Sequence, residues 1–277
     1  MIPAPFDYQR ASSVDEAVGL LAEHGDEAKL LAGGHSLLPL MKLRLAQPAV
    51  LVDIGGIGDL SFVSDGPDGT VRIGALTRHH DLAGSDLLRD QVPLLAEVAG
   101  QIGDPQVRHR GTIGGSIAHG DPASDLPAAL LALRATLVVR GPGGEREIAA
   151  DDFFTGFLET ALAPDEVLTE VRVPAVPGAG WAFEKFNRRA QDWAIVGVAA
   201  VLTDGATGPG VGLVNMGSLP LRAAGVEEAL RSGAAVADAA ARADEGTEPP
   251  NDLNASPEYR RHLARVLVRR ALEAAGG

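Results

Sequence analysis

Apolar residues first recur at helical spacing. In "SSVDEAVGLLAEHG", Val14, Ala17, Val18 and Leu21 share one face. Ser13 and Glu16 stand at capping-box spacing and Gly25 offers a stop, so the stretch predicts a helix. The period then changes. "AKLLAGG" and "AVLVDIGG" (49–56) are short continuous apolar runs of strand length. The first fifty-odd residues therefore predict a compact helix–strand–turn–strand unit.

A second strand-rich section begins at "TVRIGAL" (70–76). Thr77 is placed to cap a short helix, and Pro93 suits the first turn of another before "LLAEVAGQIG". "DLPAALLAL" predicts a helix with proline near its start, and "ATLVVRG" a strand. "DEVLTEVRVP" (165–174) predicts an alternating strand closed by proline. "PAVPGAG" (174–180) is the best linker candidate. Beyond it, "WAFEKFN", "WAIVGVAAVLTD" and "VGLVNMG" are strand patterns, followed by helices near 222–231 and 257–274. Strands followed by helices is an α+β layout, so the part after the linker is expected to be a smaller α+β domain. No fixed-period repeat is visible.

Composition narrows the function. The chain has 277 residues, 45% of them hydrophobic, enough for one large domain or two of ordinary size. A formal charge of −13 disfavours a nucleic-acid partner, which needs a basic stripe. Arg261, Arg265 and Arg269 fall at i, i+4 spacing within a C-terminal arginine group that includes Arg260 and Arg270. Their plain reading is one solvated or partner-facing helix face. There is no cysteine, which excludes disulfides, cysteine-ligated zinc and iron–sulfur clusters within this chain. The stretch "MIPAPFDYQR" lacks signal-peptide character and no run approaches membrane-spanning length, so a soluble cytoplasmic protein is expected.

Chemistry concentrates in two glycine motifs, "AGGHS" (32–36) and "TIGGS" (112–116). A nucleophile elbow at Ser36 would need glycine two residues on, where Leu38 stands, and adjacent His35 and Ser36 side chains diverge along an extended chain. No lysine follows either motif, so neither is a Walker A loop, and Gly-x-Gly-x-x-Gly is missing. What remains is a pair of turns able to aim backbone N–H groups into one cavity, because glycine accepts positive φ and presents no Cβ. Two opposed N–H nests, with hydroxyls from Ser36, Thr112 and Ser116, suit a pyrophosphate without any lysine. The histidines His79, His80, His109 and His119 form no metal-ligand spacing.

"LLAGGHSLLPLMKLRL" and "RGTIGGSIAHGDPASDLPAALLAL" resemble the two FAD pyrophosphate loops of the medium subunit of molybdenum hydroxylases of the carbon monoxide dehydrogenase and xanthine dehydrogenase type. "EKFNRRAQDWAIVGVA" and "EYRRHLARVLVRRAL" resemble the C-terminal domain of the same family, so the likeness spans nearly the whole chain. The resemblance implies an α+β fold: a two-part FAD-binding domain of the p-cresol methylhydroxylase and vanillyl-alcohol oxidase type, then a smaller α+β domain. It divides the chain into 1–177, with subdomains of about 1–57 and 58–177, and 178–277. It further implies that Leu31, Ala32, Gly33, Gly34, His35, Ser36 and Leu37 wrap the pyrophosphate and ribityl region from one side. Thr112, Gly114, Gly115 and Ser116 would approach from the other. Asp125 would take ribityl or ribose hydroxyls, though by itself it reads as a helix cap. Leu168 would pack against the adenine or flavin end, Lys185 would place charge near the flavin N1–C2=O edge, and Trp193 would lie over the ring. As bare sequence features these three are core or surface residues.

The function implied is an FAD electron-transfer subunit. Its partners would be a molybdopterin-binding large subunit and an iron–sulfur small subunit, with NAD or a quinone as acceptor. Two other readings stay open at this point: an independent FAD-dependent oxidase or dehydrogenase of a small organic substrate, and a non-redox nucleotide-binding protein.

Overall fold

The computed structural model describes residues 1–204 and 207–277. Three strands open the chain: β1 (Asp7–Arg10), β2 (Ala28–Leu31) and β3 (Val50–Asp53), all parallel in the order β1-β3-β2. Helix α1 (Val14–His24) crosses from β1 to β2, burying Ala17, Val18 and Leu21. Ser13 caps it by accepting the N–H of Glu16 at 3.1 Å, and Gly25 ends it at φ +54. The Glu16 carboxylate reaches Ser12 N–H and Oγ instead of the cap's own N–H, so the expected capping box is shifted by one residue. Helix α2 (Leu37–Lys42) leads out of the first glycine motif toward β3.

A five-stranded antiparallel sheet follows. It contains β4 (Val63–Asp65), β5 (Thr70–Gly74), β6 (Thr136–Gly141), β7 (Gly144–Ala149) and β10 (Val167–Pro174), in the order β4-β5-β10-β6-β7. A small hairpin, β8 (Phe154–Gly156) with β9 (Glu159–Thr160), precedes β10. Strand β10 is central: Val171 and Val173 enter the large core, Glu170 is held by Arg72 and Arg172, and a bulge between Leu168 and Glu170 shifts its alternation. Helices α3 (His79–Gly84), α4 (Asp86–Gln91), α5 (Pro93–Gly100), α6 (Pro105–Arg108), α7 (Ile113–His119) and α8 (Asp125–Ala132) run between β5 and β6, and α9 (Ala150–Phe153) follows β7.

The last sheet is a four-stranded antiparallel meander: β11 (Gly180–Phe186), β12 (Val196–Leu202), β13 (Gly210–Val214) and β14 (Leu221–Arg222). Helices α10 (Ala224–Arg231), α11 (Val236–Ala240) and α12 (Pro257–Ala274) complete the chain. On β12, Ala199 and Val201 join the large central core while Val198 and Ala200 join the core under α12. The strand is therefore buried on both faces, with α8 on one side and α12 on the other. Gly210 and Gly212 let β13 lie against α8 so closely that a Cβ at either would run into the carbonyl of Ala132 or Ala128.

Four expectations change. Strand β1 is a polar, largely exposed edge and carries no apolar signal, and β4 and α11 are also short. Thr77 caps nothing: its hydroxyl binds the Phe62 backbone through both N–H and C=O, and α3 begins after Arg78. "TIGGS" is not a turn but the first turn of α7, capped by Thr112. Arg260 leaves the solvated arginine face. It is fully buried, donating to the Ile195 carbonyl and, at 2.7 Å, to Asp252, while Arg265 stays outside on Asp244.

Candidate functional site

A cleft of about 890 Å³ opens among the loop after β2, the start of α7, the start of α8, β10 and β11. Ala32, Gly33, Gly34, His35, Ser36, Leu37, Thr112, Gly114, Gly115, Ser116, Asp125, Leu168, Lys185 and Trp193 all line it. Leu31 does not. It ends β2, where its carbonyl accepts the N–H of Ile54 at 3.0 Å.

The two glycine motifs form adjoining walls. Gly33 backs directly onto the carbonyl of Arg110, leaving no room for a Cβ, and a Cβ on Gly115 would come within 3.9 Å of Ala32. Gly34 holds φ +77, the left-handed region that glycine enters without strain. Among the described residues, no acceptor takes the backbone N–H groups of Gly33, Gly34, His35, Ser36 or Leu37. That segment is an open donor nest.

The second wall behaves differently. Ile113 N–H donates to Thr77 C=O, Gly114 N–H to Ala75 C=O, Gly115 N–H to Thr112 Oγ1 at 3.1 Å, and Ser116 N–H to Thr112 C=O. Neither Gly114 nor Gly115 has positive φ. The expected second nest is thus closed. Gly114 is required by packing, because its Cβ would fall 2.5 Å from the Cβ of Ala75 on the strand beneath.

The far wall carries a buried ion pair. Lys185 Nζ lies 2.6 Å from Asp125 Oδ2, the two side chains being 6% and 7% exposed, and also donates to the Gln101 carbonyl at 3.2 Å. Among the described residues, Asp125 Oδ1 has no partner. Burial pushes the Asp125 carboxyl up and the Lys185 ammonium pulls it back. Lys185, expected to place charge near a flavin edge, lines the cleft with its ammonium on Asp125. Leu168 is buried beside the β10 bulge. Trp193, expected over the ring, stands 56% exposed at the mouth.

His79 also lines the cleft, although spacing gave no reason to select it. Its ring fills the space beside Gly111, where a Cβ would meet ring atoms at 2.7 Å, and its Nδ1 lacks a partner among the described residues. Burial, aided by His35, Arg108 and Arg78, lowers its pKa to about 4, so the imidazole is neutral near pH 7. Among the described residues, no group of His, Asp or Glu side chains could hold a metal ion.

The family described as "FAD binding domain in molybdopterin dehydrogenase" matches residues 4–176, and "CO dehydrogenase flavoprotein C-terminal domain" matches 181–275. The chain is 45% identical to the carbon monoxide dehydrogenase medium chain of Hydrogenophaga pseudoflava, covering 99% of this chain and 98% of that one. It is 40% identical to the 6-hydroxypseudooxynicotine dehydrogenase complex subunit alpha of Paenarthrobacter nicotinovorans, covering 98% and 95%. The solved carbon monoxide dehydrogenase of Hydrogenophaga pseudoflava superimposes with a TM-score of 0.96 at 46% identity, over 100% of this chain and 99% of that one.

The walls fit FAD. An open run of N–H donors suits a pyrophosphate, and an unpartnered buried carboxylate oxygen suits a sugar or polyol hydroxyl. With this fold and these two matched segments, the chain belongs to the family of FAD-binding medium chains of the molybdenum hydroxylases.

Proposed function

We propose that this chain is the FAD-carrying electron-transfer subunit of a heteromeric molybdenum hydroxylase. It receives electrons from iron–sulfur clusters on a small partner chain, which are fed by a molybdopterin-binding large chain, and delivers them to an external acceptor such as NAD or a quinone. We divide the labour at 177/178: the first part holds the cofactor and the second closes the cleft with Lys185 and Trp193. The observation that carries the reading is the run of backbone N–H groups at Gly33–Leu37 that, among the described residues, meet no acceptor and line one cleft with Asp125. FAD, when bound, supplies the exchange of one or two electrons. The chain's own residues bind and orient it: the nest neutralises the pyrophosphate, Asp125 accepts a hydroxyl, and Leu168 packs beside it. Because the chain has no cysteine, thiolate-ligated clusters must come from elsewhere.

No helix among the described residues is long and apolar enough to cross a membrane, which suits a cytoplasmic complex. Tagged and recovered from its native cell, the chain should bring down two further chains together with molybdenum, iron and non-covalent FAD. FMN or no chromophore in the assembled material sinks the cofactor placement. Substrate-specific turnover by the chain alone, with no metal-bearing partner, replaces the subunit reading by that of an independent flavoenzyme.

A further inference from the structure

The chain carries a formal charge of −13, yet one patch beside the cleft gathers basic side chains. Two segments build it. An isolated bridge joins Arg78 to Thr112, and the His79 N–H donates to the Gly111 carbonyl at 3.1 Å. The start of α3 thereby meets the residues around the end of α6, bringing together Arg78, His79, His80, Arg108, His109 and Arg110. The rings of His80 and His109 stack with centroids 4.0 Å apart.

Many arginines of this chain meet a carboxylate, as Arg72 meets Glu170 and Arg265 meets Asp244. Among the described residues, Arg78, Arg108 and Arg110 form no such pair. The Arg78 guanidinium donates to the Arg110 carbonyl, and that of Arg108 to the carbonyls of Ile102 at 3.0 Å and Gly103 at 3.4 Å. Carbonyls fix these groups without cancelling their charge. Asp104 is spent capping α6 at the Val107 N–H, and Asp81, exposed on α3, only partly offsets Arg78. Burial and the neighbouring Arg110 lower the Arg78 pKa. Like charges held together cost stability, and a partner of opposite sign relieves that cost on docking.

The place of the patch points to its partner. Gly33 packs on the Arg110 carbonyl, and His35, His79 and Gly111 line the cleft. The exposed side chains of His80, His109 and Arg110 therefore stand behind the wall that carries the donor nest. We propose that Arg78, His80, His109 and Arg110 form the docking surface for the iron–sulfur small chain and hold an acidic face beside its cluster. This rests on the subunit reading, in which electrons reach the cleft from that chain. Cysteine thiolates give such a cluster net negative charge, which uncompensated arginines on the facing surface complement.

The test uses the full-length chain and the small chain separated from the same native complex. Among the described residues the Arg110 side chain makes no hydrogen bond, so Arg110→Glu reverses an exposed charge without removing a fold contact. At about 50 mM salt it should weaken small-chain binding about tenfold, mostly by slower association, and at about 0.5 M the difference should shrink. His80→Glu, in the first turn of α3 where an acid suits the helix, should act in the same direction. Arg270→Glu makes the same charge reversal on the exposed side of α12 and should bind as wild type does. Assembled at high concentration, Arg110→Glu should hold the wild-type amount of FAD.

Wild-type binding in both Arg110→Glu and His80→Glu overturns the proposal, and so does an equal loss in Arg270→Glu. Weakened binding of the molybdopterin chain with the small chain unaffected also overturns it. FAD lost from the fully assembled Arg110→Glu complex does the same, for that would make the patch part of the cofactor site. Should one of the two patch variants fail to fold, the other decides. A wild-type chain that binds no iron–sulfur chain at any salt is a different result, which removes the subunit reading itself.

Discussion

The two glycine motifs share their letters and little else. In "AGGHS", one glycine sits at φ +77, the other presses on the Arg110 carbonyl, and the N–H groups that follow meet no acceptor among the described residues. In "TIGGS", the same Gly-Gly pair lies in the first turn of a helix, and its N–H groups are spent on Ala75 and Thr112. One motif offers donors; the other brings a helix close enough to a strand to form the adjoining wall. A Gly-Gly-Ser string reports that a Cβ is unwelcome, and only the partners of its N–H groups tell whether a ligand or a neighbouring strand is the reason.

That contrast is most exposed to failure at Gly114. Gly114→Val drives a branched side chain into Ala75 and should cost about 3 kcal/mol or more, with or without FAD present. Denaturant midpoints of flavin-free protein measure it, and a loss confined to FAD binding would return Gly114 to the ligand.

Next in size is the pH dependence carried by His79, which seats Gly111 just ahead of the second motif. Its folded pKa is lowered to about 4, below the ordinary value of 6.5. The stability tied to the neutral ring is complete above that ordinary value and is lost as pH falls through the folded one. At about pH 5 the loss should reach ~2 kcal/mol, and His79→Phe should flatten that part of the profile.

Gly34→Ala probes the other motif. Left-handed strain should cost about 1–2 kcal/mol, and the altered nest should weaken FAD binding about tenfold, a pairing that Gly114→Val should not show. A flavin titration beside a melting curve separates the two effects. Smallest is Thr112→Ala, which removes a helix cap and should cost about 1 kcal/mol, visible as a modest drop in urea midpoint.

Much of the frame could be read from local pattern, because α1, β2, β3, α8 and β10 announce themselves by period, cap or proline. What escaped was set by distant partners. Strand β1 is a polar edge whose only reason to extend is the parallel register with β3. Thr77 looks like a cap but bonds to Phe62, fifteen residues back. The residues around the cleft were legible through the family resemblance, yet their geometry was not. Nothing near Lys185 reveals that its ammonium ends on Asp125, and nothing near Arg260 separates it from its exposed neighbours until Ile195 and Asp252 arrive from elsewhere in the fold.

The contact between β13 and α8 bears on how such chains could be recombined. Gly210 and Gly212 press their backbone against the carbonyls of Ala132 and Ala128, so at these two positions no side chain stands between the sheet and the helix. A chimera that takes residues 1–177 from one relative and the rest from another inherits this seam as its matching condition. Donors with glycine at both places should dock with the helix undisturbed. A donor with even alanine there must lift the sheet off α8, carrying the β11 hairpin and its lysine away from the Asp125 carboxylate it contacts.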